Sequence, residues 1–156
     1  MMKKLFLAML ALMLCVLTGC SSQPAAVEST LNMPLTDLVA KHYAGADALI
    51  RFGKMDIEDV IGVTADEYSD AVYLQDADVS AGREVIVMRG VDANAAQQIA
   101  QRLENYLAQR RKETQNYFPE AYKLLSETSV QRKNNTVALV VHEKAADITK
   151  LLLAGE

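Results

Sequence analysis

An uncharged apolar run from Leu5 to Leu17 stops abruptly at Leu17-Thr18-Gly19-Cys20, and that stop sets how much of the chain is left to fold and by what means. The run is too short to cross a membrane as a helix, which takes about 20 apolar residues. With Met1-Met2-Lys3-Lys4 as a positive lead and small residues behind, it has the form of a secretory signal peptide over residues 1–19. Cleavage before Cys20 would remove Cys15, so the mature chain keeps one cysteine and no internal disulfide is available to it. The exported part must then be held together by its hydrophobic core. A single domain of this size buries about two-thirds of its unfolded surface, so it can fold without staples.

Leu17-Thr18-Gly19-Cys20 resembles the bacterial lipobox, an aliphatic residue and two small ones before an obligatory cysteine. Small side chains at Thr18 and Gly19 let a peptidase reach the bond before Cys20, and the Cys20 thiol is the group suited to diacylglyceryl transfer. The resemblance implies a covalent diacylglycerol on Cys20, with an N-acyl chain as a possible addition, and no other cofactor. It implies attachment to the extracytoplasmic face of the cell membrane. Residue 21 is Ser and not the aspartate that retains such proteins at the inner membrane of Gram-negative cells. Without Lys3 and Lys4 the 16 basic residues become 14 against 20 acidic ones, and the net charge moves from -4 to -6. That balance disfavours nucleic acid and polybasic contact with anionic lipid, leaving the lipid on Cys20 as the membrane attachment.

Residues 20–33 comprise the lipidated cysteine and a Ser-, Ala-, Gln-, Thr- and Pro-containing tether, whose flexible form spans about 20 Å. The folded domain is expected over residues 34–156. Pro34 and Asp37 open a helix that buries Leu35, Leu38, Val39 and Tyr43, and Gly45 stops it. Asp56 and Thr64 are suited to capping two short helical turns, and Thr64-x-x-Glu67 has the capping-box form. Residues 71–75 and 83–89 read as a strand pair joined by a turn at Ser80-Ala81-Gly82. Asp92 caps the longest helix, with Ala96, Ile99, Leu103, Tyr106 and Leu107 on one face, continuing to Tyr117 and Phe118. Pro119 begins a short helix to Leu125. Residues 129–133 and 136–141 form a hairpin around Asn134-Asn135, and residues 145–153 close the chain as a helix. The expected class is α+β, a small antiparallel sheet of two hairpins with the long helix packed on one face and N- and C-terminal helices flanking it.

The chemistry-bearing residues are sparse. Residues 55–82 hold eight carboxylates (Asp56, Glu58, Asp59, Asp66, Glu67, Asp70, Asp76 and Asp78) and no Lys or Arg. Asp76-x-Asp78-x-Ser80 begins like a calcium loop, but the glycine comes one place late at Gly82 and the bidentate glutamate position is Val87. These acids read as caps and a solvated face, and no metal site is assigned. His42 and His142 are too few and too far apart for a zinc site. Arg110-Arg111-Lys112 near the end of the long helix favours its dipole or pairs with the acidic stretch. No nucleophile–base set, G-x-S-x-G elbow or phosphate-cradling glycine loop is present, so no catalytic residue is assigned.

The lipobox, the segment Val79-Ser80-Ala81-Gly82-Arg83-Glu84-Val85-Ile86-Val87, the helix running into Tyr117-Phe118-Pro119-Glu120, and Asn135-Thr136-Val137-Ala138-Leu139-Val140-Val141 occur in this order. Together they resemble a family of bacterial lipoproteins carrying a domain of unknown function, common in clostridia and related Gram-positive anaerobes. The resemblance implies a shared fold on an extracytoplasmic anchor and brings no activity with it. The expected function is a non-enzymatic binding or accessory module of the cell envelope, partnered by an envelope protein or a small extracellular ligand. One alternative is an envelope hydrolase using paired carboxylates, Asp76 with Asp78 or Asp66 with Glu67, which requires one raised pKa facing an ionised partner. The other is a purely structural envelope component.

Overall fold

The computed structural model describes residues 33–154. Residues 1–32, with the expected signal peptide, Cys20 and all but residue 33 of the expected tether, lie outside the described residues. Helix α1 (Leu35–His42) leads through a short 3-10 turn to strand β1 (Ile50–Phe52) and helix α2 (Lys54–Ile61). Strands β2 (Tyr68–Gln75) and β3 (Glu84–Gly90) form a hairpin, followed by the long helix α3 (Ala93–Thr114) and by α4 (Pro119–Glu127). Strands β4 (Gln131–Lys133) and β5 (Thr136–Val141) form the second hairpin, and α5 (Ala145–Leu152) follows. The five strands lie in the order β1-β2-β3-β5-β4, antiparallel throughout. The class is α+β as expected, with α3 packed against the sheet.

The sheet is covered on both faces, where one covered face was expected. Strand β5 is buried along its whole length and β3 at every residue but Arg89. Alternate residues therefore feed two cores. Ile86, Met88, Val137, Leu139 and Val141 pack with Ile99, Leu103 and Leu107 of α3 and with α2. Val85, Val87, Ala138 and Val140 pack with Leu35, Leu38 and Val39 of α1 and with Ile148 and Leu152 of α5. An uninterrupted apolar strand is what a sheet covered on two sides demands, whereas a half-solvated strand alternates. Each large apolar side chain so buried contributes roughly 1.5–3 kcal/mol.

Three local expectations are corrected. Thr64 and Glu67 make only half of the capping box: the Thr64 N–H donates to Glu67 Oε2 at 2.8 Å, but the Glu67 N–H goes to the Thr64 main-chain carbonyl at 3.1 Å as in a turn, and no helix follows. The chain enters β2 at Tyr68, so the pattern closes a turn. Asp56 is not the N-cap of α2: it stands in the first turn, its carboxylate accepting from the N–H of the capping Gly53 at 2.7 Å. Helix α3 ends at Thr114, short of Tyr117 and Phe118, whose N–H groups both turn back to the Thr114 carbonyl, at 3.1 and 2.9 Å, before Pro119 opens α4. Strand β1 was not anticipated, its three residues being too few and too mixed to show a period.

Two glycines are required by close approach. Gly82 has φ +69° and lies against α4, where a Cβ would meet the Ala121 Cβ at 2.7 Å. Gly90 lets the end of β3 meet the start of α3, where a Cβ would stand 2.6 Å from the Ala96 nitrogen. Asp92 starts α3 directly behind it, its Oδ1 accepting from the Ala95 N–H at 2.7 Å. The position of α3 over the sheet is thus fixed at its first turn.

Candidate ligand-binding groove

The paired strands place Ile50, Gln75, Glu84 and Val141 opposite one another in a row across the sheet, and Phe52, Tyr73, Ile86 and Leu139 in the next row on the same face. Helix α3 crosses that face with Tyr106 and Arg110 one turn apart on the same side. Glu84 is thereby trapped with no exposure at all, a carboxyl at the entrance of an otherwise apolar strand. Tyr106 donates its hydroxyl to Glu84 Oε1 at 2.5 Å, and the Tyr73 and Tyr106 hydroxyls lie 3.1 Å apart. Arg110 Nε approaches Glu84 Oε2 only to 3.9 Å, an ion-pair distance too long for a hydrogen bond. Glu84 Oε2 and Arg110 Nε and Nη2 are all buried without a hydrogen-bond partner.

Burial pushes the Glu84 carboxyl above the usual range, and this outweighs the opposing pull of Tyr106 and Arg110. The Tyr106 and Tyr73 hydroxyls are pushed up as well, first by burial and then by the charge of Glu84. The two phenols therefore stay protonated as hydrogen-bond donors. Leaving one buried polar atom unpaired costs about 1–3 kcal/mol. Three such atoms lie side by side here.

Above this network opens a groove of about 460 Å³ between α2 and α3, within the range of small-molecule sites. Phe52 and Tyr73 stack in it with ring centroids 4.6 Å apart and an interplanar angle of 24°. Asp59 and Val60 come from α2, Gln75 from β2, and Gln109, Arg110 and Glu113 from α3. Gln109 Nε2 donates to Glu113 Oε1 at 2.9 Å, and Arg110 Nη1 stands 3.8 Å from Glu113 Oε2. A second groove of about 430 Å³ beside α4 is lined by Arg83, Glu120, Lys123, Glu127 and Glu143, all exposed.

The paired acids singled out in the sequence are engaged in local turn bonds and one ion pair. Asp76 Oδ1 accepts from the Asp78 N–H at 3.0 Å, and Asp78 Oδ1 accepts from the Ser80 N–H at 2.9 Å and its hydroxyl at 2.6 Å. Those Ser80 bonds hold the Asp78 carboxyl below its usual range. Glu67 pairs with Arg102 at 2.5 Å, which lowers its pKa, while Asp66 accepts from the Thr64 hydroxyl at 2.6 Å. Among the described residues no group of three or more His, Cys, Asp or Glu could hold a metal ion. His42 ends α1, its pKa lowered by partial burial and by Lys41. His142 accepts from the Lys144 N–H at Nδ1 (2.9 Å) and meets the Tyr43 ring edge-to-face at 5.1 Å. The fold brings His142 and Asp76 together around a hollow of about 170 Å³ with Tyr43 and Arg83.

Of the basic triplet, Arg110 faces Glu84, whereas Arg111 donates from Nε to Leu125 O at 2.9 Å and from Nη2 to Thr128 O at 2.6 Å, tying the end of α4 to α3. Glu84 was missed as a site residue. Its signal was present, since the period of two that buries Ile86 and Met88 also buries residue 84. Tyr106 was expected as core and is core, but with its hydroxyl committed to that carboxyl. Leu17, Thr18, Gly19 and Cys20 lie outside the described residues.

Residues 46–142 match the family model of a domain of unknown function, DUF4358. The chain belongs to the DUF4358 family. No curated protein and no solved structure matches it. The DUF4358 match runs from the turn before β1 to the residue after β5, so it contains the whole sheet, α2, α3 and every residue of the groove. Helices α1 and α5, which cover the opposite face, fall outside the matched DUF4358 stretch. Among the described residues no helix is long and apolar enough to cross a membrane.

Proposed function

We propose that this DUF4358 chain is a lipid-anchored, extracytoplasmic binding module of a bacterial cell envelope, taking a small ligand in the groove between α2 and α3. The observation that carries the binding role is the fully buried Glu84, with Tyr106, Tyr73 and Arg110, beneath an open groove. Buried groups with displaced pKa values concentrate at functional sites, because structure alone is cheaper to build from apolar residues. The anchor rests on Leu17-Thr18-Gly19-Cys20 and the apolar run before it. A net charge of -6 without Lys3 and Lys4 makes the lipid, not surface charge, the means of attachment.

Both parts are testable on the full chain. Cells expressing it are fed an alkyne-bearing palmitate; a labelled band that disappears in Cys20→Ser supports the anchor, and equal labelling of the two removes it. The binding role is tested by thermal unfolding of the full-length protein against a small-molecule library. Ligand at 100 times its dissociation constant adds about 2.7 kcal/mol. Stabilisation that is lost in Gln109→Ala supports the groove, and stabilisation indifferent to that change places the site elsewhere.

A further inference from the structure

We propose that the groove takes a neutral saccharide, held on the flat face of Phe52 and hydrogen-bonded by Gln75, Gln109, Asp59 and Glu113. This rests on the ligand-binding function proposed above and names the ligand's class. The first argument is charge. The charged lining residues are Asp59, Glu113 and Arg110, and Arg110 already stands between Glu84 Oε2 at 3.9 Å and Glu113 Oε2 at 3.8 Å. An anionic ligand would find no cation free of carboxylates there and would meet the excess negative charge.

The second argument is the floor. An extended peptide binds through main-chain hydrogen bonds, which need a free strand edge. Here the floor residues Tyr73 and Gln75 belong to β2, whose main chain is paired with β1 on one side and β3 on the other. The free edge of β1 faces away from β2, outside that floor. The groove offers a ligand side chains only.

Those side chains have the chemistry a sugar ring needs. A pyranose presents an apolar C–H face, whose positive hydrogens suit the negative face of an aromatic ring. Phe52, stacked on Tyr73 and partly buried at the edge strand, lines the groove and provides one such flat platform. The sugar hydroxyls each donate and accept, and around the platform stand two amides that do both and two carboxylates that accept. The Gln109–Glu113 hydrogen bond holds two of these groups in place before any ligand arrives. Phe52 and Val60 are the only wholly apolar lining residues, too few for a ligand bound by apolar burial alone.

The test is a printed array of neutral and acidic glycans probed with the full-length protein, purified in a zwitterionic detergent that has no sugar headgroup. Neutral hexose or N-acetylhexosamine oligomers should be bound, and Phe52→Ala and Gln109→Ala should each weaken binding about tenfold, a change of about 1.4 kcal/mol. Gln109 is exposed, so its variant keeps the fold if Phe52→Ala does not. Lys150→Ala, on the opposite helix layer, should bind as the parent does. Silence on neutral glycans, binding to acidic glycans alone, or binding unaffected by Gln109→Ala overturns the proposal. A parallel titration of an Ala-rich tripeptide mixture, followed by amide NMR shifts, separates the two failures. Groove shifts with peptide and a silent array would remove the saccharide and keep the groove as a site; no groove response to either probe set removes both.

Discussion

Replacing Tyr106 by Phe removes one oxygen and leaves two buried polar groups without their partner. Glu84 Oε1 loses the donor that stands 2.5 Å away, and the Tyr73 hydroxyl loses its neighbour at 3.1 Å. Each such orphan costs about 1–3 kcal/mol, so the expected loss is about 2–4 kcal/mol after partial relaxation. Tyr73→Phe makes the useful contrast. It removes the outer end of the chain, leaves Tyr106 donating to Glu84, and should cost about 1 kcal/mol. The assay is urea unfolding of the full-length protein followed by far-UV circular dichroism. With a slope of about 2 kcal/mol per molar urea, Tyr106→Phe should lower the midpoint by about 1–2 M, roughly three times the effect of Tyr73→Phe. Adding Glu84→Leu to Tyr106→Phe should give no full recovery, because it leaves the buried Arg110 without the carboxylate 3.9 Å away and the Tyr73 hydroxyl without its neighbour. Equal losses in the two Tyr→Phe variants would refute the assignment of Glu84 as a carboxyl held by Tyr106.

Three further outcomes are expected. The pH dependence follows from the raised Glu84 pKa: the folded state holds this proton more tightly, so its contribution to stability is full below the unfolded value near 4.3 and is lost as pH rises through the folded value. Urea midpoints from pH 4 to 8 should show that fall reduced in Glu84→Gln; Glu67, with a lowered pKa, contributes in the opposite sense, its share lost as pH falls. Gly90→Ala should destabilise by about 1–3 kcal/mol, since its Cβ would stand 2.6 Å from the Ala96 nitrogen of α3, and thermal unfolding would read this as a lowered midpoint. Arg111→Ala should cost about 1.5–3 kcal/mol through the carbonyls of Leu125 and Thr128, with hydrogen exchange in α4 rising before that of the sheet.

The parts of the fold legible in the sequence are those whose signal is local. Pro34 before α1, Pro119 at the first position of α4, Asp92 before α3, and Asn134-Asn135 between β4 and β5 each announce an element by chemistry within four residues. What was not legible depends on the third dimension. The second covered face follows from β3 and β5 being buried on both sides, which a short apolar run alone does not distinguish from a single-faced strand. Thr64 and Glu67 show the capping-box sequence put to use in a turn, with only the Glu67 carboxylate bond to the Thr64 N–H made, because the strand that begins at Tyr68 leaves no room for a helix. The groove is assembled from α2, β1, β2 and α3, and no two of its elements share a local motif. Glu84 could have been flagged by its place in a buried period-two row; the hydroxyl that meets it, 22 residues further on, could not.

The central claim is that the groove over Glu84 binds an envelope ligand, and amide NMR on the isotope-labelled full-length protein tests it most directly. Soluble fragments of enzymatically digested cell envelope are titrated in, and shifts are mapped onto the sequence. The account predicts shifts that cluster on Phe52, Asp59, Val60 and Gln75 and on Gln109–Glu113 of α3, and that disappear in Gln109→Ala. Shifts confined to the charged groove beside α4, or none with any fraction, would contradict it.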